Sequence, residues 1–205
     1  MLDDKGFDLW ADGYDNDVGV TDEDNAYPFA GYKKVLGMIY ARIMQKPNAS
    51  VLDIGFGTGT LTTKLYRNGC TVYGQDFSNR MIELASAKMP EAKLYHGDFT
   101  QGLASPLADN SYDFIVATYS LHHLNDEQKV AFINSLLPLL NKNGRILIGD
   151  VAFETRALLE ECKARAGDEW DDEECYFVIE ELKSTFPDIE FIQASYCSGV
   201  MVLKR

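Results

Sequence analysis

Residues 51–60 read Val51-Leu52-Asp53-Ile54-Gly55-Phe56-Gly57-Thr58-Gly59-Thr60, a short apolar strand running into a turn with glycine at every second position. Glycine has no Cβ, so such a turn can adopt conformations closed to other residues and admit a ligand close to the backbone. Thr58 or Thr60 can cap the helix that Leu61, Leu65 and Tyr66 suggest. A strand, a glycine turn and a helix start together make a nucleotide-site candidate at the carboxyl edge of a parallel sheet.

The spacing within the turn selects among nucleotides. Dinucleotide sites use G-x-G-x-x-G, with the pyrophosphate at the helix N-terminus. Here the pattern is G-x-G-x-G, preceded by Asp53. A carboxylate there repels a pyrophosphate and accepts hydrogen bonds from an ammonium group. Together with the lack of a Tyr-x-x-x-Lys pattern, this disfavours a nicotinamide-dependent oxidoreductase.

The 205 residues suit one domain with a full core. No apolar run approaches the ~20 residues of a membrane helix, and Met1-Leu2-Asp3-Asp4 does not open a signal peptide. Cys70, Cys162, Cys175 and Cys197 lack metal-ligand or framework spacing, so the expectation is a cytoplasmic protein without a structural zinc. A net charge of −13 argues against a nucleic-acid partner. Acidity concentrates in residues 1–24 and in Asp168–Glu174 around Trp170. Either run serves solubility, or one lies at a site mouth that favours a neutral or cationic substrate.

Strand and helix signals alternate. Strands are expected at Ser50–Ile54, Thr71–Gln75, Lys93–His96, Tyr112–Tyr119 and Arg145–Gly149. Helices are expected at Tyr27–Met44, Thr60–Arg67, Asn79–Lys88, Asp126–Leu140, Thr155–Ala166 and Glu173–Phe186. Ile189–Tyr196 and Val200–Lys204 read as a terminal antiparallel hairpin. This order predicts an α/β, Rossmann-like, doubly wound and mostly parallel sheet with right-handed crossovers and helices on both faces.

Asp76 follows the second strand, 21 residues after Gly55. A carboxylate at that separation can hold both ribose hydroxyls of a nucleoside, or it can simply cap the helix beginning near Asn79. His122-His123 invites a base or metal reading, but neighbouring residues point in different directions and no ligand spacing surrounds them. His122 is a candidate base and His123 a structural residue.

The run Val51–Gly59 resembles motif I of the class I S-adenosylmethionine (SAM) methyltransferases. The resemblance extends through Tyr112–Leu124, similar to motif IV, and through Leu139–Ile148. It implies a seven-stranded sheet closed by the antiparallel hairpin, and a cofactor site formed by Asp53, Gly55, Phe56, Gly57, Asp76 and Phe77. It further implies that Met81 packs on adenine (or is ordinary core), that Asp98 accepts the adenine amino hydrogen, and that the Phe99 amide donates to the ring. Tyr119 would lie near the sulfonium. Phe7–Asp15, which includes Trp10 and Tyr14, is similar to a segment that folds over the cofactor in small methyltransferases. Across nearly the whole chain the likeness is to the YrrT-like family of small bacterial methyltransferases. The implied organisation is one domain, with a helical lid in 1–46, a cofactor core in 47–150, and helices plus hairpin in 151–205. The implied activity is methyl transfer from SAM to a small-molecule acceptor, leaving S-adenosylhomocysteine (SAH), with the non-enzymatic alternative of a SAM-binding regulator.

Overall fold

A computed structural model describes residues 26–205 of the chain. The segment 1–25, with Trp10, Tyr14 and most of the expected lid, lies outside the described residues. Among the described residues there are eight strands: β1 (Ser50–Ile54), β2 (Thr71–Asp76), β3 (Lys93–His96), β4 (Tyr112–Thr118), β5 (Leu140–Phe153), β6 (Phe177–Val178), β7 (Glu190–Gln193) and β8 (Ser198–Leu203). Seven are hydrogen-bonded in the order β3-β2-β1-β4-β5-β8-β7, and β6 pairs with β5 off that path. Strands β1 to β5 run parallel, while β8 is antiparallel to both β5 and β7. The expected fold class is the one found.

Helices α1 (Tyr32–Ile43), α2 (Thr60–Arg67), α3 (Asn79–Lys88) and α6 (Arg156–Ala166) cover one face; α4 (Ser105–Ala108), α5 (Asp126–Leu136) and α7 (Ile179–Leu182) cover the other. The two cores follow strand periodicity. On β4, Phe114 and Val116 enter the first, and Ile115 and Ala117 enter the second. Both faces are therefore apolar, which is why the strand reads as an unbroken hydrophobic run.

Several boundaries differ from the sequence expectation for identifiable reasons. The first helix starts at Tyr32 rather than Tyr27, because Gly31 is left-handed (φ 77°) at its N-cap. The helix from Asp126 ends at Leu136 and tightens into a 3-10 turn around Pro138, whose ring and missing N–H do not suit a helix interior. Strand β5 runs on to Phe153, four residues past the expected end. That overhang explains the largest correction: Glu173–Phe186 is not one helix. Phe177 and Val178 instead pair with Ala152 and Phe153, leaving only Ile179–Leu182 helical.

Gly149 on β5 shows how tightly α1 is seated. A Cβ there would lie 2.4 Å from Val35 Cγ1 and 2.9 Å from Ile39 Cδ1. Gly149→Val is expected to cost about 1–3 kcal/mol through overpacking, seen as a lower thermal midpoint. An unchanged midpoint would show that α1 can shift without penalty.

Candidate active site

The glycine turn leaves β1 and enters α2. Gly55 (φ 68°) and Gly57 (φ 55°) occupy the left-handed region that disfavours side chains. Gly55 is also confined in space, since a Cβ would sit 2.7 Å from that of Ser120. The side chain of Phe56 lies over Gly74 of β2 in the core, so this residue offers the turn only its backbone. Neither threonine supplies the expected cap. Gly59 (φ 79°) takes the N-cap position, which puts Thr58 too early and Thr60 already inside the helix.

Asp76 closes β2 beside this turn. One carboxylate oxygen accepts from the Gly57 amide and the other from the Ser78 amide, both at 2.9 Å. Burial raises its pKa, and those amides oppose the rise. The helix-cap alternative fails, because Ser78 caps α3 by accepting from the Met81 amide at 3.1 Å. Asp53 is buried behind the turn, accepting from the Thr62 hydroxyl through one oxygen. Its Oδ1 is buried without a hydrogen-bond partner. Burial pushes its pKa up to about 7, helped by the nearby Asp76 charge. An acceptor oxygen in that condition suits a cationic donor.

The remaining expected cofactor residues occupy the next strand ends. Met81 is buried at the start of α3, and half-buried Phe77 precedes it. Asp98, exposed after β3, accepts from the Thr100 amide at 2.8 Å and from its hydroxyl at 2.7 Å. Phe99 is buried, its ring 5.9 Å from that of Phe132. Strand ends β1, β2 and β3 thus bring together Asp53, Gly55, Gly57, Asp76 and Asp98. Tyr119 departs from this group. Its ring packs against Phe29 (5.4 Å) and Tyr32 (5.1 Å), toward the β5 side.

A second cluster lies past the end of β4 and beside the overhanging part of β5, and sequence reasoning found only part of it. The His122 Nδ1 lies 2.7 Å from Asp150 Oδ1, with both side chains buried. Its Nε2 lies 3.5 Å from Glu174 Oε1. Glu174 Oε2 accepts from the Tyr176 hydroxyl at 2.7 Å, and Tyr176 is hydrogen-bonded to Tyr27. Burial would lower the His122 pKa, but the Asp150 and Glu174 charges outweigh it and the net shift is upward. His123 goes the other way, pushed down to about 4 by burial and by the charge of His122. His122, His123 and Glu174 each place one ligand-capable atom within 4.8 Å of the others. Asp150 had a legible signal, a lone carboxylate ending an apolar strand. Glu174 was marked only as part of the acidic run and Tyr176 not at all, because only the β5–β6 pairing brings them here.

Buried Lys129 of α5 locks this segment in place. It donates to the Cys175 carbonyl and to Asp126 (3.2 Å), with its ammonium 4.6 Å from the centre of the Phe177 ring. Removing the amine deprives the half-buried Cys175 carbonyl of this donor. Lys129→Met is therefore expected to lower thermal stability by about 1–3 kcal/mol. A variant as stable as the parent would show that apolar packing alone holds the segment.

Residues 51–144 match the family model described as "Methyltransferase domain". An "Uncharacterized methyltransferase" of Alkaliphilus oremlandii (strain OhILAs) is 36% identical over 180 residues, covering 88% of this chain and 80% of that protein. Another, of Geobacillus thermodenitrificans (strain NG80-2), is 36% identical over 193 residues, covering 90% and 86%. Among solved structures, a DhpI–SAH complex superposes with a TM-score of 0.72 at 16% identity, covering 98% of this chain and 94% of that one. Magnesium protoporphyrin IX methyltransferase of Synechocystis PCC 6803 with bound SAH gives 0.67 at 21% identity, covering 86% and 85%. Those two likenesses concern the fold; the sequence relatives carry the family. With the glycine turn, Asp76 and the sheet order already described, they establish that this chain belongs to the class I SAM-dependent methyltransferases.

Proposed function

We propose that the protein methylates a small-molecule acceptor, with SAM held across the ends of β1, β2 and β3. The observation that carries the cofactor placement is Asp76, a buried carboxylate aligned by the Gly57 and Ser78 amides beside the glycine turn. In this reading Asp76 takes the ribose hydroxyls, Asp98 and the Phe99 amide read adenine, and Met81 packs on the ring. Phe77 adds a neighbouring wall. The unpartnered oxygen of Asp53 fits the ammonium of the methionine moiety, with Gly55–Gly57 against the chain. Tyr119 belongs to the aromatic wall beyond the sulfonium rather than to the adenosine side.

Bound SAM supplies an electrophilic methyl on a sulfonium, so the protein's task is to align a nucleophile and exclude water. Alignment alone is worth roughly 7–11 kcal/mol of barrier. A small neutral or cationic acceptor is favoured by the acidic run Asp168–Glu174, which borders the His122 cluster through Glu174 and through Trp170 stacked on Tyr27. The net charge of −13 disfavours nucleic acid. Among the described residues no helix is long and apolar enough to cross a membrane, and the four cysteines are free thiols, as a reducing cytoplasm allows.

The test is incubation with methyl-tritiated SAM and, separately, the small-metabolite, protein and RNA fractions of a bacterial extract. Label is expected in the small-metabolite fraction. Label confined to RNA or protein would overturn the acceptor class.

A further inference from the structure

In this sheet order the chain crosses from β1 one way to β2 and β3, then returns to lay down β4 and β5 on the other side. Ligands of such sheets bind outside the strand ends at this switch. In the proposed cofactor placement the adenosine-side residues stand at and beyond the ends of β2 and β3, which leaves the ends of β4 and β5 for an acceptor. Thr118 pairs with Gly149 at the level where both strands reach that edge. The chain immediately beyond carries Ser120, against Gly55, and then His122; on β5 the next residue is Asp150.

The hydrogen bonds at His122 fix its tautomer. Asp150 Oδ1 also accepts from the Val151 amide at 2.8 Å, so it acts as an acceptor and the proton of the imidazole resides on Nδ1. The lone pair is then on Nε2. A buried histidine serving packing alone would turn that nitrogen toward a donor. Here it faces a carboxylate oxygen at 3.5 Å, so in the neutral ring no donor holds that lone pair, and a proton taken up there is met by the Glu174 charge.

Building on the methyl-transfer reading, we propose that His122 is the general base of the reaction, and that the acceptor atom is a hydroxyl oxygen. Nε2 takes the hydroxyl proton while the electron pair of the O–H bond becomes the new O–CH3 bond. The S–CH3 bond breaks with its pair remaining on sulfur. The positive charge thus moves from the sulfonium to the imidazolium, which lies between Asp150 and Glu174. The proton then leaves through Glu174 to water. Asp150 is a positioning residue that holds the tautomer. A hydroxyl needs this help where a thiol does not: a thiol ionises unaided near pH 8.5, whereas an alcohol keeps its proton throughout the physiological range.

Among the described residues, the charged and titratable groups facing the ring are Asp150 from β5, Glu174 and Tyr176 ahead of β6, His123 alongside, and Lys129 from α5. The two carboxylates hold the His122 pKa above its ordinary value, against burial and Lys129. The rate should therefore rise with pH through a midpoint above about 6.5 and then level off.

The experiment uses the full chain, methyl-tritiated SAM and the small-metabolite extract, with SAH calorimetry and an NMR titration of His122 alongside. His122→Gln is expected to lose about 10²–10⁴-fold in transfer rate and the pH-dependent limb, with SAH affinity within twofold of the parent. Glu174→Gln leaves the ring in place, so it keeps the question open to test should the buried variant fail to fold. It is expected to lower the midpoint in the NMR and rate profiles together. A label on nitrogen or sulfur would overturn the hydroxyl assignment. A His122→Gln enzyme at parental rate would overturn the base, as would activity abolished by a chelator and restored by zinc. If the parent binds SAH but labels no small metabolite, the methyl-transfer reading itself fails.

Discussion

Asp76→Ala is expected to weaken SAM and SAH binding at least tenfold in calorimetry on folded protein. Hydrogen bonds to a charged carboxylate are worth about 1.5–3 kcal/mol each, and the ribose offers two hydroxyls. The structure adds a second cost. The same carboxylate holds the Gly57 and Ser78 amides, so alanine also loosens the glycine turn. Asp76→Asn separates the two contributions, because it keeps the shape and one acceptor oxygen while removing the charge. The asparagine enzyme should bind better than alanine and worse than the parent, with SAM and SAH affected alike. Affinity indistinguishable from the parent in both variants would remove Asp76 from the cofactor site.

Asp53 yields an effect of similar size on stability. Its pKa rises from 3.8 in the unfolded chain to about 7 in the fold, so the folded state favours the protonated carboxyl. The stabilisation is complete below pH 4, declines as pH rises, and is gone once pH passes 7. At 1.36 kcal/mol per unit, the parent protein without ligand loses up to roughly 4 kcal/mol between pH 4 and pH 8 on this account. Asp53→Asn retains an acceptor for Thr62 and carries no charge, so it should be more stable than the parent at pH 8 and nearly matched at pH 4. The parent should also release a proton on binding SAM near pH 6.5, because the ammonium favours the ionised carboxylate. Calorimetry in buffers of different ionisation enthalpy reads that release. A stability difference that is the same at both pH values would show that Asp53 titrates normally.

How much of this was legible in the sequence depends on the range of the interactions. Thr60–Arg67, Asn79–Lys88 and Lys93–His96 were read to the residue, because local signals bound them: Asn68-Gly69 closes the first and Pro90 lies between the other two. The Asp53–Gly57–Asp76 group was legible because one strand-turn-helix unit and the next strand contain all of it. The segment after β5 was not. Tyr176-Phe177-Val178-Ile179 has apolar content compatible with helix or strand, and only the overhang of β5, far off in sequence, decides between them. The same distance hid Glu174 from His122. The threonine cap failed for a local reason, since the pattern does not reveal that Gly59 itself turns left-handed at the helix start.

The pairing of Phe177–Val178 with Ala152–Phe153 has a further consequence. It fastens the stretch 168–176 at one end by two strand residues and the Lys129 ammonium, while none of the cofactor-side residues belongs to it. On the proposed reading of the site, substrate choice and SAM capture therefore fall on separate stretches of chain. A changed or lengthened 168–174 would present a different wall to the acceptor and leave the Asp53–Asp76 half as it stands. That makes the acidic stretch the natural place to retune what the enzyme methylates, with the docking strand kept as its anchor.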